Sequence, residues 1–287
     1  RCLPRAAPSS SAPEAETVPR LLLIGSGGRL GTAVRRAAGG DFDIHCPAHG
    51  EIAGARLKAL LSGPRRPDLI VNAAAMSSTS ECAREPRLAF EANALLPRDL
   101  ARACRGEGIR LVHISTDLVY GGHAPPYTES SPCVPLSVYG WTKLLGDRAV
   151  MAVCPGSLVL RTSVLFGGIG APRRTFSEEL LAGAVQKVHV DSFRNHTPAG
   201  WFARAILTAG MADVSGPLIA SGLHSLSRSA FAEMLFRHLG LDGCPPAGYR
   251  PPGVPADLSL DTGRFARLFG EPPDPFQAFD MEYKKPS

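Results

Sequence analysis

Tyr139 and Lys143 stand four residues apart in Tyr139-Gly-Trp-Thr-Lys143, a spacing that puts both side chains on one face of a helix. A nearby ammonium stabilises a phenolate. Such a tyrosine is drawn down from its reference pKa of about 10 and can exchange a proton with a carbonyl or alcohol oxygen. Upstream lies His113-Ile-Ser-Thr-Asp117. Its Ser115 and Thr116 are hydroxyl donors, and one of them can hydrogen-bond a substrate oxygen and stabilise a developing alkoxide. Each motif has a plainer reading: a half-buried tyrosine on a surface helix, or a strand-end turn capped by Ser, Thr or Asp. Order joins them, with Thr116 lying 23 residues before Tyr139, strand end first and helix second.

A third set of residues is Gly25-Ser-Gly-Gly-Arg-Leu-Gly31, in which Gly25, Gly28 and Gly31 form GxxGxxG. Glycines let a backbone turn sharply and approach a pyrophosphate closely. A helix opening here through Arg29, Leu30 and Gly31 presents free N–H groups and the positive end of its dipole to the phosphates. The turn follows an apolar run and precedes a helical pattern, the context in which a glycine motif implies a dinucleotide. The choice between NAD and NADP rests on the end of the second strand, where a carboxylate suits NAD and a basic residue suits the 2′-phosphate of NADP. His45-Cys-Pro-Ala-His49 supplies neither. Arg29, Arg35 and Arg36 are the cations within reach, so NADP(H) is slightly favoured over NAD(H).

The elements that must position these groups alternate. Strands are expected at 20–24, 42–46, 68–72, 110–114 and 158–161. Helices are expected at 30–38, 56–61, 85–106 and 139–150. This alternation makes βαβ units and a parallel sheet covered on both faces, with ligands at the carboxyl ends of the strands. The fold class is α/β, a Rossmann-like doubly wound parallel sheet with a smaller C-terminal substrate-binding lobe. Beyond Ser163 the pattern loosens to a helix at 178–185, a strand at 188–191 and a proline-rich surface connection at 245–255. The chain divides into a disordered tail over 1–19, a dinucleotide-binding domain over 20–163 to which 190–215 returns, and a lobe made of 164–189 and 216–287.

Bulk composition sets limits. Hydrophobic residues make up 44% of the 287 and charged residues 20%, which is globular composition far from that of a disordered chain. A net charge of +5, with its cations scattered, calls for no nucleic-acid partner. No apolar run reaches the ~18 residues of a membrane span. Seven cysteines without CxxC spacing read as reduced thiols in a reducing compartment, and His189 and His196 lack the partners of a metal site. The expected location is cytoplasmic. The tail has no apolar core of a secretory signal, and import into an organelle stays open as an alternative, against which Glu14 and Glu16 argue.

Ile70-Val-Asn-Ala-Ala-Ala75, Ser115-Thr-Asp117, Pro135-Leu-Ser-Val-Tyr-Gly-Trp-Thr-Lys143, Leu160-Arg-Thr-Ser163 and Asp257-Leu-Ser-Leu-Asp-Thr262 together resemble the extended short-chain dehydrogenases of the dTDP-4-dehydrorhamnose reductase type. The likeness runs from about Arg20 to Gly270. It implies hydride delivery from a nicotinamide to C4 of a nucleotide-linked 4-keto-6-deoxy sugar. It makes Tyr139 the general acid, Lys143 its partner and a ribose ligand, and Thr116 the donor to the carbonyl. Asp117 lies close to the sugar. Asn72, Ala73, Ala74 and Ser115 run along the cofactor. Asn93 matches an asparagine of the crossover helix, with a helix-packing role equally open.

The departures fall in Asp191-Ser-Phe-Arg-Asn-His-Thr-Pro198, where Arg194 is either a bidentate diphosphate ligand or a surface arginine, and in the glycine-rich 167–172. Two alternatives accompany the reductase. One is a non-catalytic dinucleotide-binding regulatory subunit resembling the beta subunit of methionine adenosyltransferase. The other is a sugar-nucleotide epimerase. The expected partner is a small-molecule sugar nucleotide, with a homodimer through the long helices as a further expectation.

Overall fold

Apolar runs bounded by glycine, proline or charge become parallel strands: β1 (Arg20–Ile24), β2 (Asp43–His45), β3 (Leu69–Asn72), β4 (Arg110–Thr116) and β5 (Leu158–Thr162). Every residue of β3 and β5 is buried, as strands covered on both faces require. Between them run α1 (Arg29–Ala38), α2 (Gly54–Ser62), α3 (Thr79–Arg84), α4 (Pro86–Phe90), α5 (Leu96–Glu107) and α6 (Val138–Val153). The computed structural model describes residues 18–52, 54–167 and 174–283. Most of the tail expected over 1–19 and nearly all of the glycine-rich stretch 167–172 lie outside the described residues.

The later elements are short. They are β6 (Leu165–Phe166), α7 (Phe176–Leu181), β7 (Val188–His189), β8 (Phe193–Asn195) and β9 (Thr197–Pro198), then α8 (Ala199–Met211) and β10 (Gly216–Ile219). After these come β11 (Ser225–Ser227), α9 (Arg228–Leu239), β12 (Ala247–Gly248), α10 (Gly263–Phe269) and α11 (Pro275–Tyr283).

The main sheet has the order β10-β5-β4-β3-β1-β2, and all its pairs are parallel. The strand order reverses between β1 and β3, so the crevice for a ligand opens at their carboxyl ends, beside Gly25 and Ala73. One face packs Leu21, Leu23 and Val71 against α1 and α8 through Val34, Phe202 and Ile206. The other packs Leu22, Ile70 and Val159 against Leu61, Leu100 and Val150 of α2, α5 and α6. The lobe has its own aromatic core, with Phe166 and Phe231 edge to face at 5.2 Å and Phe279 beside both.

Three expectations are corrected. Residue 216 does not begin the lobe, because β10 joins the main sheet at its edge, pairing Gly216 with Leu158. The helix expected at 85–106 begins at Thr79, capped by the Ser78 hydroxyl, and breaks at Pro86, which has no N–H to continue it. It resumes through a π turn at Glu91–Leu95 before α5. The strand expected at 188–191 shrinks to β7, and its partner β12 lies inside the proline-rich segment expected to be a plain connection.

Candidate active site

The glycine turn forms because nothing larger fits. Gly25 has φ +81°, and a Cβ there would lie 2.6 Å from the Ala74 nitrogen. A Cβ on Gly31 would lie 2.2 Å from the Gly25 carbonyl oxygen. The ends of β1 and β3 therefore touch backbone to backbone. Gly28 caps α1 without a side-chain hydrogen bond, which leaves the first N–H groups of that helix for a ligand. A cleft of about 1360 Å³ opens here, lined by Gly25, Ser26, Gly27, Ala74, Ala75 and Met76, and on the β2 side by His49 and Lys58. This bare, uncapped cradle fits a dinucleotide. Leu30 offers only its backbone, since its side chain is in the core. Arg35 and Arg36 are not at the phosphate end at all but in the last turn of α1, where cations complement the helix dipole. The Arg29 guanidinium donates to the Arg174 carbonyl at 2.7 Å.

Tyr139 enters the site on the first turn of α6. The Ser137 hydroxyl caps that helix by accepting from the Gly140 N–H at 3.1 Å. Gly140 is packed so tightly that a Cβ would lie 2.2 Å from the Leu118 carbonyl oxygen. This close approach brings the Tyr139 phenol toward the Thr116 hydroxyl, close enough for that hydroxyl to act on its titration. The ring clusters with Cys82 and Ala89, against which Met76 packs, and Met76 also lines the cleft. Thr116 in turn donates to Asp117 Oδ1 at 3.1 Å and accepts from the Leu118 N–H at 3.2 Å. Asp117 is fully buried and is gripped by Arg194, whose Nε and Nη2 donate to its two oxygens at 2.5 Å. The Ser163 hydroxyl donates to Asp117 as well. Arg194 is thus neither of the two things expected of it: it is no surface arginine, and its fork closes on a carboxylate of the same chain.

The electrostatics reverse one expectation. Burial pushes the Tyr139 phenol well above its ordinary value, the Thr116 hydroxyl opposes this, the charge of Asp117 and the Cys82 thiol add to it, and Arg194 opposes it. Lys143 does not draw the phenol down. Its Nζ donates to the Ile114 carbonyl at 2.7 Å and lies 3.2 Å from His113 Nε2. Burial lowers the Lys143 amine to about 8, with Asp147 pulling the other way.

Behind Lys143 lies a buried polar network that faces α6 rather than the cleft. Ser115 donates to Asp147 Oδ2 at 2.8 Å, so its hydroxyl proton is committed within the chain. Arg161 Nε donates to the same oxygen at 3.3 Å and its Nη1 to the Tyr120 hydroxyl at 3.0 Å. Asn72 accepts from the Ala74 N–H at 3.2 Å and turns its amide nitrogen to His113 Nδ1 at 3.1 Å. Asn93 is the packing amide: it accepts from the Met76 N–H and donates to the Met76 carbonyl, both at 3.0 Å, and donates to Thr142 at 3.1 Å. The π turn around it faces Gly146, where a Cβ would lie 2.1 Å from the Asn93 carbonyl oxygen. Asn72 and Asn93 thereby shape the loop along the cleft through its backbone instead of reaching into it.

Asp147, Arg161, His113 and Arg228 receive no role in the motif reading. Asp147 carries a signal, since it lies four residues beyond Lys143 on the same helical face, and so does Arg161, a charge inside an apolar strand run. Arg228 carries none. Its guanidinium lies 4.7 Å over the Phe176 ring and makes no hydrogen bond or ion pair among the described residues.

Residues 19–278 match the RmlD substrate binding domain family. The chain is 34% identical over 239 residues to a probable dTDP-4,6-dihydroxy-2-methyloxan-3-one 4-ketoreductase of Streptomyces antibioticus, covering 81% of this chain and 80% of that one. It is 34% identical to the dTDP-4-dehydrorhamnose reductase of Streptomyces griseus, covering 81% and 79%. The crystal structure of dTDP-4-dehydrorhamnose reductase from Bacillus anthracis in complex with NADP superposes with a TM-score of 0.84 at 22% identity, covering 94% of this chain and 99% of that one, and shares the fold. A match over nearly the whole described chain, joined to relatives above 30% identity across four-fifths of it, places this chain in the RmlD substrate-binding-domain family, the dTDP-4-dehydrorhamnose reductases and their kin.

Proposed function

We propose that this chain reduces the C4 ketone of a dTDP-linked 4-keto-6-deoxy sugar, with NADPH as reductant. The observation that carries the reading is Tyr139, a buried phenol that keeps its proton, in one cluster with Cys82 and Ala89 against which Met76 of the dinucleotide cleft packs. A ketone reduction needs a proton donor at the oxygen, and a protonated phenol is the competent form.

When bound, the nicotinamide supplies the hydride to the ketone carbon. The chain's own residues do the rest. The uncapped end of α1 and the bare Gly25–Gly31 turn hold the pyrophosphate. Tyr139 gives its proton to the oxygen as negative charge develops there, and Thr116 steadies the phenol. Lys143, in its protonated form, is the cation of the ribose end. Asp117 and Arg194 form a neutral buried pair beside the sugar, and Arg228, set over the Phe176 ring, is the cation offered to the diphosphate. A cation without a close ion pair among the described residues is the better anion ligand, because no carboxylate must be displaced from it. NADPH is favoured over NADH because β2 ends without a carboxylate while Lys58 and His49 line that side of the cleft.

The test is isotopic. NADPH deuterated at the transferred position should place deuterium at C4 of the sugar, read by proton NMR of the product. Deuterium at another carbon, or a sugar epimerised without net NADPH use, contradicts the proposal.

A further inference from the structure

Three buried side chains behind the active site have their hydrogen-bonding roles fixed by a single backbone group. The Ala74 N–H can only donate, and it points at Asn72 Oδ1 at 3.2 Å. The Asn72 amide nitrogen must then be the atom facing His113 Nδ1 at 3.1 Å, and it too can only donate. His113 Nδ1 is therefore the acceptor. In a neutral imidazole the proton then sits on Nε2. Neutrality is secured by burial, which holds the ring well below its ordinary value.

The Nε2–H faces Lys143 Nζ at 3.2 Å, with Asp147 Oδ1 farther away at 3.7 Å, beyond hydrogen-bonding reach. Asp147 Oδ1 accepts no hydrogen bond. An ammonium nitrogen has no lone pair, so an N–H aimed at it is a donor set against a donor. A neutral amine resolves the conflict: it accepts from His113 and still donates to the Ile114 carbonyl at 2.7 Å. The other arrangement, with the proton on Nδ1, requires the Asn72 amide to turn over and set its own N–H groups against that of Ala74.

We propose that His113, locked by Asn72 as the Nε2–H tautomer, is a positioning residue that weakens the hold of Lys143 on its proton. Lys143 in this chain is an exchangeable acid and not a fixed cation. Asn72 adds a link to the cofactor, because the same amide shapes the Ala73–Ala74 turn along the cleft. The other groups around this amine are Asp147 on its own helix, and behind Asp147 Arg161 from β5 and Ser115 from β4. Asp147 acts in the opposite sense to His113, favouring the ammonium. The inference rests on the site described above but not on its substrate.

The chain has only five lysines, so its lysine side chains can be titrated individually by NMR with carbon-13 at Cε. The experiment uses the full chain without ligand, with Lys143 assigned through Lys143→Arg. The Lys143 midpoint should rise in both His113→Gln and Asn72→Ala, by about tenfold in proton affinity for each unit moved. In the first the glutamine oxygen can turn to the ammonium, and in the second the imidazole is free to offer its lone pair. Asp147→Asn should move it down. A midpoint unchanged in folded His113→Gln and Asn72→Ala overturns the proposal. A measurement on the unmodified chain stands beside it: nitrogen-15 imidazole spectra should show His113 protonated at Nε2, and protonation at Nδ1 overturns the proposal without any variant. None of these readouts needs a sugar nucleotide, so failure of the proposed reaction and failure of this inference are separable.

Discussion

The Tyr139 phenol keeps its proton because burial, helped by the charge of Asp117, outweighs the opposing Thr116 hydroxyl and Arg194. The group that titrates near neutrality is Lys143, lowered to about 8 by burial. A lysine with a lowered value loses its charge as pH rises through that value, whereas the phenol stays protonated well beyond it. The profile of kcat/KM for NADPH, which reports the free enzyme, should therefore fall above about pH 8 in the unmodified chain. In Lys143→Met the low-pH plateau should drop and this limb should vanish. Arg194 is tied to the fully buried Asp117, with only 11% of its own side chain exposed. Arg194→Met leaves a buried charge unpaired and should cost about 3–5 kcal/mol in urea unfolding. Adding Asp117→Asn should recover much of that loss, and failure to recover it would show that the pair does not hold the lobes together. Arg228→Met should raise KM for the sugar nucleotide about tenfold, the loss of one charged hydrogen bond, with kcat kept. An unchanged KM removes Arg228 from the diphosphate site. The motifs showed Tyr139, Lys143 and Thr116 because their spacing is local. Of the partners that set their protonation, Asp147 shares α6 with Lys143 and is signalled by its spacing, whereas His113 and Arg194 reach Lys143 and Tyr139 from β4 and β8, a meeting that no spacing along the chain encodes.

At the scale of elements, backbone contacts through glycine set the geometry. The first turn of α6 touches the loop after β4 at Gly140, and α1 touches the turn after β1 at Gly31. Gly140→Ala must push the start of α6 away from Leu118 and take Tyr139 with it. A displacement of about 1 Å at a reacting group costs on the order of 100-fold in rate. Stopped-flow hydride transfer should show that loss with NADPH affinity nearly kept, and Gly31→Ala should show the reverse. The βαβ rhythm was legible because buried parallel strands are nearly pure apolar runs, as in Leu69-Ile-Val71. The crossover between β3 and β4 was not. Pro86 and the π turn around Asn93 break a pattern whose charge and leucine spacing read as one long helix. That break turns Asn93 inward onto Met76, so the irregularity itself shapes the cofactor loop.

The whole molecule is a six-stranded sheet carrying a lobe whose strands are two or three residues long. Strands this short leave almost no period for a sequence to display, as β12 shows inside its proline-rich segment. β10 itself reads Gly-Pro-Leu-Ile, and its place at the sheet edge tolerates the proline. Cofactor binding should stabilise the whole chain, by about 2.7 kcal/mol at a hundredfold excess over Kd. NADPH should raise the melting temperature more than NADH at equal concentration, and the opposite order would reverse the cofactor assignment. The measurement closest to the central claim is NADPH oxidation with a dTDP-4-keto-6-deoxyhexose, in the unmodified chain and in Tyr139→Phe. The account predicts turnover in the first and a loss of about 10²–10⁴-fold in the second, the share of a general acid, with NADPH still bound. An unmodified chain that binds NADPH without oxidising it, or a phenylalanine variant that works as well, would contradict the account.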